Sequence, residues 1–261
     1  MPVDTIVVLM LGLLGLAIGF IGGLLGLVLG VIRFPIILAT AGAAGTPVAV
    51  VAGTNIGVST LGATSAAIRH FRQHNVLLRI FAIMATTGAA GAFLGSMLTR
   101  YVPSYLLFAI IGSIVSYEAY SLISASRKKA QSNSPSEKKT NIAVESLIGF
   151  GVGVLGGMVG LVLGSIRMPA MITVLKIPPR IAIGTNLAAS SIMGAAGLAG
   201  HIINGEVDYL VLAVMGSTAM AGGYIGARYT SRFRPDTLKM LIGIVLIAVG
   251  TVMFLKAGGI L

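Results

Sequence analysis

Charge-poor apolar runs alternate with short polar breaks along the whole chain. They fall at 5–31, 34–46, 47–68, 80–99, 105–126, 142–165, 168–178, 181–204, 209–230 and 237–258. Most are near the roughly 20 residues that an α-helix needs to cross a hydrocarbon core. The second and seventh, of 13 and 11 residues, are too short to cross. They read as half-helices or as the returning arms of re-entrant hairpins. The pattern predicts an all-α polytopic membrane protein.

Each short run follows a motif that occurs twice. Residues 19–35 read GFIGGLLGLVLGVIRFP and residues 153–169 read GVLGGMVGLVLGSIRMP, identical at 11 of 17 positions with an offset of 134. Further on, Gly53-Thr54-Asn55 matches Gly184-Thr185-Asn186, His70 matches His201, and Gly91 and Gly95 match Gly222 and Gly226, all at an offset of 131. Such self-similarity marks an internal duplication of a membrane unit. The polar stretch 127–141, RKKAQSNSPSEKKTN, is the expected linker. Domains are therefore expected at 1–126 and 142–261, with a cytoplasmic linker at 127–141.

Charge supplies the orientation. Of 261 residues 10% are charged, and the formal net charge is +11. The basic residues sit between apolar runs, as the positive-inside rule requires, and aromatics do not interleave with them. Nucleic acid is therefore not an expected partner. After the third run the first half carries Arg69, Arg72 and Arg79, whereas the matching loop 202–208 carries Glu206 and Asp208. After the fourth run the first half has only Arg100, and the second has Arg228, Arg232, Arg234 and Lys239. Matching loops thus belong on opposite sides of the membrane. Two inverted-topology repeats of about five segments each are expected, the first two of each a broken or re-entrant pair, with both termini outside. A parallel four-plus-four arrangement is the alternative. The N-terminus lacks a basic n-region and reads as the first membrane segment. With no Cys, three His and seven acids, no metal site, disulfide or cofactor is expected.

The chemistry concentrates in the duplicated motif. Its earlier glycines have the Gly-xxx-Gly spacing that lets membrane helices approach closely, and such faces also allow a homodimer. Gly30 and Gly164 differ, because each precedes an Arg and then a Pro. Pro disfavours helix in the residue before it, so breaks are expected near 30–35 and 164–169. Irregular backbone at membrane depth survives only where protein buries it or a wet cavity touches it. Freed amides at a half-helix N-terminus attract an anion, and Arg33 or Arg167 would add a fork suited to an oxyanion. The bland alternative is that both Arg snorkel or pair structurally. Thr54, Asn55, Thr185 and Asn186 either donate to a substrate oxygen or bond across helices. His70 and His201 are expected at solvated segment ends. Glu118, well inside a run and without a repeat counterpart, relays protons or neutralises an Arg.

The Gly-rich helix, the Gly-containing break before Pro, and the Gly-Thr-Asn with a downstream His, all duplicated, resemble the TauE/SafE sulfite exporter family over residues 5–258. The resemblance implies a permease in the cell membrane, the inner one of a Gram-negative cell. Its substrates would be small sulfur-containing anions such as sulfite, thiosulfate or sulfonates. It also implies export, with coupling to an ion such as H+ or Na+. It points to Gly26–Pro35, Gly160–Pro169, Gly53–Asn55 and Gly184–Asn186. Many members have three consecutive glycines in the break, where this chain has Val28-Leu29-Gly30 and Val162-Leu163-Gly164. The backbone is therefore expected to be less unwound, with the anion relying more on Arg33 and Arg167. The expected function is secondary transport by alternating access around a midplane site, coupled through Glu118, His70 or His201. A carrier of another small anion and a membrane-embedded enzyme or receptor are the alternatives; a nucleophile, base or metal constellation for an enzyme is lacking in the sequence.

Overall fold

The computed structural model describes residues 5–42, 45–127, 142–173, 175, 177–230 and 236–260. The expected linker 127–141 lies outside them except for Arg127. The described residues form ten α-helices: α1 (Thr5–Leu25), α2 (Gly30–Gly42), α3 (Val48–Arg72), α4 (Leu78–Leu98), α5 (Ser104–Arg127), α6 (Ile142–Val159), α7 (Gly164–Thr173), α8 (Pro179–Ile203), α9 (Tyr209–Tyr229) and α10 (Asp236–Ala257). Seven of these are long and apolar enough to cross a membrane: α1, α3, α4, α5, α6, α8 and α9. The protein is a multi-pass membrane protein.

Local chemistry sets the helix starts. Pro47 and Pro178, themselves 131 residues apart, stand just before α3 and α8, where a missing N–H costs nothing. Asp208 caps α9 by accepting from Leu210 N–H and Val211 N–H, each at 3.0 Å. On the buried faces glycine decides the packing. Gly15, Gly19 and Gly23 of α1 lie against Met215, Ala219 and Gly223 of α9, while Gly149, Gly153 and Gly157 of α6 lie against Met84, Gly88 and Ala92 of α4. A Cβ at Gly19 would come 2.6 Å from the Ala219 carbonyl oxygen. Helices in lipid associate through such close backbone approach, since burying apolar surface gains little there.

The order of these contacts gives the helix directions. Along α1 and α9 the paired numbers rise together, as they do along α3 and α9, where Gly57 meets Leu212 and Gly62 meets Ala219. So α1, α3 and α9 run one way, and α4, α6 and α8 share a direction by the same reading. Between α3 and α8 the order reverses: Gly53 meets His201, and Gly184 meets His70. It reverses again between α5 and α10, where Gly112 meets Phe254 and Gly243 meets Ala119 and Ile123. Because α1 and α3 start on the same side, α2 must return toward that side. The short α2 and α7 are thus the returning arms of hairpins.

Substitution at these faces should read out directly. Gly153→Val forces a side chain onto the Gly88 carbonyl and the Ala92 amide, whereas Gly151 faces open space. Overpacking costs roughly 1–3 kcal/mol, so the melting temperature of Gly153→Val in detergent should fall by about 2–12 °C, and that of Gly151→Val by less than about 2 °C.

Candidate functional site

The two breaks share one construction. Helix α1 stops at Leu25; Gly26 takes φ of 70°, and the Leu27 N–H returns to the Gly22 carbonyl at 3.0 Å. Helix α6 stops at Val159; Gly160 takes φ of 69°, and the Leu161 N–H returns to Gly156 at 2.8 Å. This is the left-handed glycine stop of a Schellman motif. Three non-helical residues follow, 27–29 and 161–163, before α2 and α7 begin at Gly30 and Gly164. The expected break at 30–35 and 164–169 is therefore corrected to 26–29 and 160–163. Arg33 and Arg167 stand in the first turn of each returning helix, and α2 runs straight through Pro35. Pro35, the sixth residue of α2, gives up one intrahelical bond without ending the helix; the glycine in the left-handed region, not the proline, ends the preceding helix.

Each Arg points into the helix that carries Gly-Thr-Asn in its own half. Arg33 donates to Ser59 Oγ at 2.6 Å, and its Nε is buried with no partner among the described residues. Arg167 donates from Nε and from one terminal nitrogen to Asn186 Oδ1, both at 3.2 Å, and to Ser190 Oγ at 2.5 Å, with Met193 sulfur against the other terminal nitrogen. Both are almost fully buried, at 2% and 0% exposure. Snorkelling is therefore corrected, and neither Arg has an acid within ion-pairing distance among the described residues. Ser59 and Ser190 escaped the sequence reading. Their signal was present: each lies one helical turn after the Asn, at the same offset of 131.

The two asparagines tie the halves together. Asn55 donates to the Gly160 carbonyl at 2.9 Å, and Asn186 donates to the Gly26 carbonyl at 3.1 Å. Each half thus clamps the left-handed glycine of the other half's break. Gly30 and Gly164 admit this clamp, since a Cβ there would meet Asn55 and Ser59, or Asn186. Their own N–H groups turn back to Val28 and Val162 at 2.8 and 2.7 Å. Among the described residues no acceptor reaches the N–H groups of Val28, Leu29, Val31, Val162 or Leu163. A small cavity adjoins each Arg. One is lined by Arg33, Ser59, Gly22, Leu27 and Leu29, the other by Arg167, Gly156, Leu161, Leu163 and Met193. Each is so small that one water would nearly fill it.

The remaining candidates sit elsewhere. Thr54 Oγ accepts from the Asp208 N–H at 2.8 Å and Thr185 Oγ from the Leu77 N–H at 3.0 Å, so both hold loops. His70 and His201 are fully buried, which corrects the solvated placement. The loops fold back over them, with Asn75 N–H on the His70 carbonyl at 3.0 Å and Glu206 N–H on the His201 carbonyl at 2.8 Å. The His201 ring bridges the Glu206 carboxylate at 2.7 Å and the Gly157 carbonyl at 2.9 Å, while the His70 ring nitrogens have no partner among the described residues. Glu118 on α5 takes the hydroxyl of Ser165, the second residue of α7, and does not neutralise an Arg. No group of three or more metal-ligating side chains occurs among the described residues.

Sequence comparison identifies relatives of the chain. The profile of the family "Sulfite exporter TauE/SafE" matches residues 11–253. The chain is 28% identical over 241 residues to the probable membrane transporter protein YdhB of Bacillus subtilis, covering 91% of this chain and 94% of that protein. A probable membrane transporter protein of Xylella fastidiosa is 25% identical over 243 residues, 91% and 90% of the two chains. A third relative, the probable membrane transporter protein YunE of Bacillus subtilis, is 34% identical over a shorter stretch, 40% of this chain and 38% of that one. No solved structure matches the chain. The chain belongs to the sulfite exporter TauE/SafE family of membrane transporters.

Proposed function

We propose that the protein is a secondary transporter, not an enzyme, that exports a small sulfur-containing oxyanion such as sulfite or an organosulfonate. The observation that carries this reading is the pair of buried, acid-free guanidinium groups, Arg33 and Arg167, each in the first turn of a returning half-helix. The unpartnered amides of Val28, Leu29, Val31, Val162 and Leu163 and the positive dipole ends of α2 and α7 favour the same anion. Ser59, Ser190 and the two breaks complete the candidate site, while Asn55 and Asn186 position the breaks. Thr54 and Thr185 belong to the scaffold in this reading.

The mechanism is alternating access between two inverted repeats, 1–126 and 142–261, joined by a cytoplasmic linker at 127–141. The antiparallel pairing of α3 with α8 and of α5 with α10, each pair related by the duplication, supports the inversion. The cavities beside the Arg are too small for an oxyanion the size of sulfite, so the halves must part to admit it. The cross-clamps Asn55–Gly160 and Asn186–Gly26 are the contacts such a motion has to slide or break. Export is coupled in this reading to an ion gradient, of H+ or Na+. The family's description and the guanidinium chemistry support the sulfur oxyanion; another small anion would use the same groups.

Counterflow of labelled sulfite in proteoliposomes tests the reading. Saturable exchange is expected, and turnover of a substrate without flux would contradict it. Orientation has a separate test. A single Cys at position 205 should be labelled by an impermeant maleimide on intact cells, and one at position 72 only after permeabilisation. Labelling of both from one side would favour parallel repeats.

A further inference from the structure

The two breaks differ at one polar contact. Ser165, the second residue of α7, donates its hydroxyl to Glu118 Oε1 of α5. By the motif offset of 134 its counterpart is Val31, the second residue of α2. Glu118 corresponds to Val249 of α10 by the offset of 131 that also relates Gly112 to Gly243. Val31 and Val249 lie in one apolar cluster. The matched positions are thus valines of the apolar core in one half and a hydroxyl–carboxyl pair in the other.

A carboxyl at 4% exposure needs a reason to be there. Among the described residues, the groups around it supply no counter-charge. On α7 the one charged residue is Arg167, held by Asn186, Ser190 and Met193. On α10 the ionisable residues are Asp236, Lys239 and Lys256, at the helix ends, and α6 contributes Glu145, which pairs with Arg79 at 3.8 Å. On α3 they are Arg69, His70 and Arg72, in its last turn. On α5 itself Arg127 ends the helix. As an ion, Glu118 would have a single hydroxyl for a partner; as the neutral acid it needs no cation. This closed arrangement suits the acid.

The same closed form has too little space beside either Arg for an oxyanion the size of sulfite. In the anion-carrier reading such a closed form is the one that crosses without its substrate. We infer that Glu118 and Ser165 form a proton site that travels with the empty carrier, making the protein a proton–anion antiporter. The inference rests on the anion-carrier reading above. The cycle balances: an anion leaves with Glu118 ionised, the carboxylate then takes one proton from the far side, and the neutral carrier closes and returns. Opening toward the near side wets the α5–α7 contact and releases that proton. Ser165 ties the step to α7, because its hydroxyl must stay on the carboxyl for the half-helix to seat.

Two measurements on the purified protein decide this. The infrared spectrum should contain a carboxylic-acid carbonyl band that Glu118→Gln removes and Ser165→Ala shifts upward. In proteoliposomes, labelled sulfite should accumulate several-fold when the lumen is acid. Passive movement of the weak acid would instead favour an alkaline lumen. Glu118→Gln should abolish this driven accumulation while sulfite counterflow stays within about threefold of wild type, a change of about 0.7 kcal/mol. Driven accumulation that survives in Glu118→Gln, or a band that does, would overturn the inference. Wild-type counterflow without response to the pH difference would overturn the coupling alone. No wild-type counterflow at all would sink the anion-carrier reading and the coupling with it.

Discussion

Arg167→Ala should reduce sulfite counterflow at least about a hundredfold, and Arg33→Ala should do the same, with both proteins still folded in detergent. A guanidinium fork gives an oxyanion two charge-assisted hydrogen bonds of roughly 1.5–3 kcal/mol each. Their loss is roughly 3–6 kcal/mol, or two to four powers of ten in binding. Lys at either position keeps the charge and loses the fork, so it should restore only part of the rate. The two Ala variants should differ in stability. Arg167 satisfies Asn186 Oδ1 and Ser190, and its removal strands two buried groups at about 1–3 kcal/mol each. Arg33 holds one bond, to Ser59, and carries an unsatisfied Nε. Removing it relieves a buried orphan, so Arg33→Ala should melt closer to wild type than Arg167→Ala. Melting curves alongside the flux assay separate these effects; wild-type flux in both variants would end the guanidinium account.

The second large effect is a contrast between matched glycines. Both Gly26 and Gly160 are in the left-handed region, which costs any other L-residue roughly 1–2 kcal/mol. Their surroundings differ. A Cβ at Gly160 meets the backbone of Ala52, which cannot move without moving α3, whereas one at Gly26 meets the side chain of Ile183. Gly160→Ala should therefore add an overpacking cost of about 1–3 kcal/mol and lower the melting temperature by roughly 10 °C. Gly26→Ala carries the same backbone strain and crowds the Ile183 side chain, so it should cost less than Gly160→Ala but remain destabilising. Gly160→Ala should also displace the carbonyl that Asn55 holds, so transport should fall with stability. Equal melting temperatures for the two variants would show that the contact with Ala52 is not the constraint described.

Much of the architecture was legible because the chain says it twice. The lengths of the apolar runs gave the spanning helices and singled out the two short arms, and the glycine spacings gave the faces that pack. The exact break was harder to read. Pro35 drew attention to 30–35, but it lies inside α2 without breaking it, and the stop four residues before Gly30 depends on Gly26 returning Leu27 to Gly22. That bond closes only in three dimensions. Ser59 and Ser190 carried a readable signal in their shared offset, masked because serine is ordinary in membrane helices. The histidines misled for another reason. Segment ends are solvated on average, but the loops after α3 and α8 fold inward, and sequence spacing carries no trace of that. The clamp of each Asn on the opposite break joins residues 105 and 160 positions apart, and only the interlocked packing reveals it.

The central claim is that Arg33 and Arg167, at the two breaks, bind a small oxyanion. Equilibrium binding of radiolabelled sulfite to purified protein, wild type beside Arg33→Ala and Arg167→Ala, tests it without assuming direction or coupling. The account predicts saturable binding to wild type and a loss of at least about a hundredfold in affinity in each variant. Wild-type affinity in both variants would contradict it.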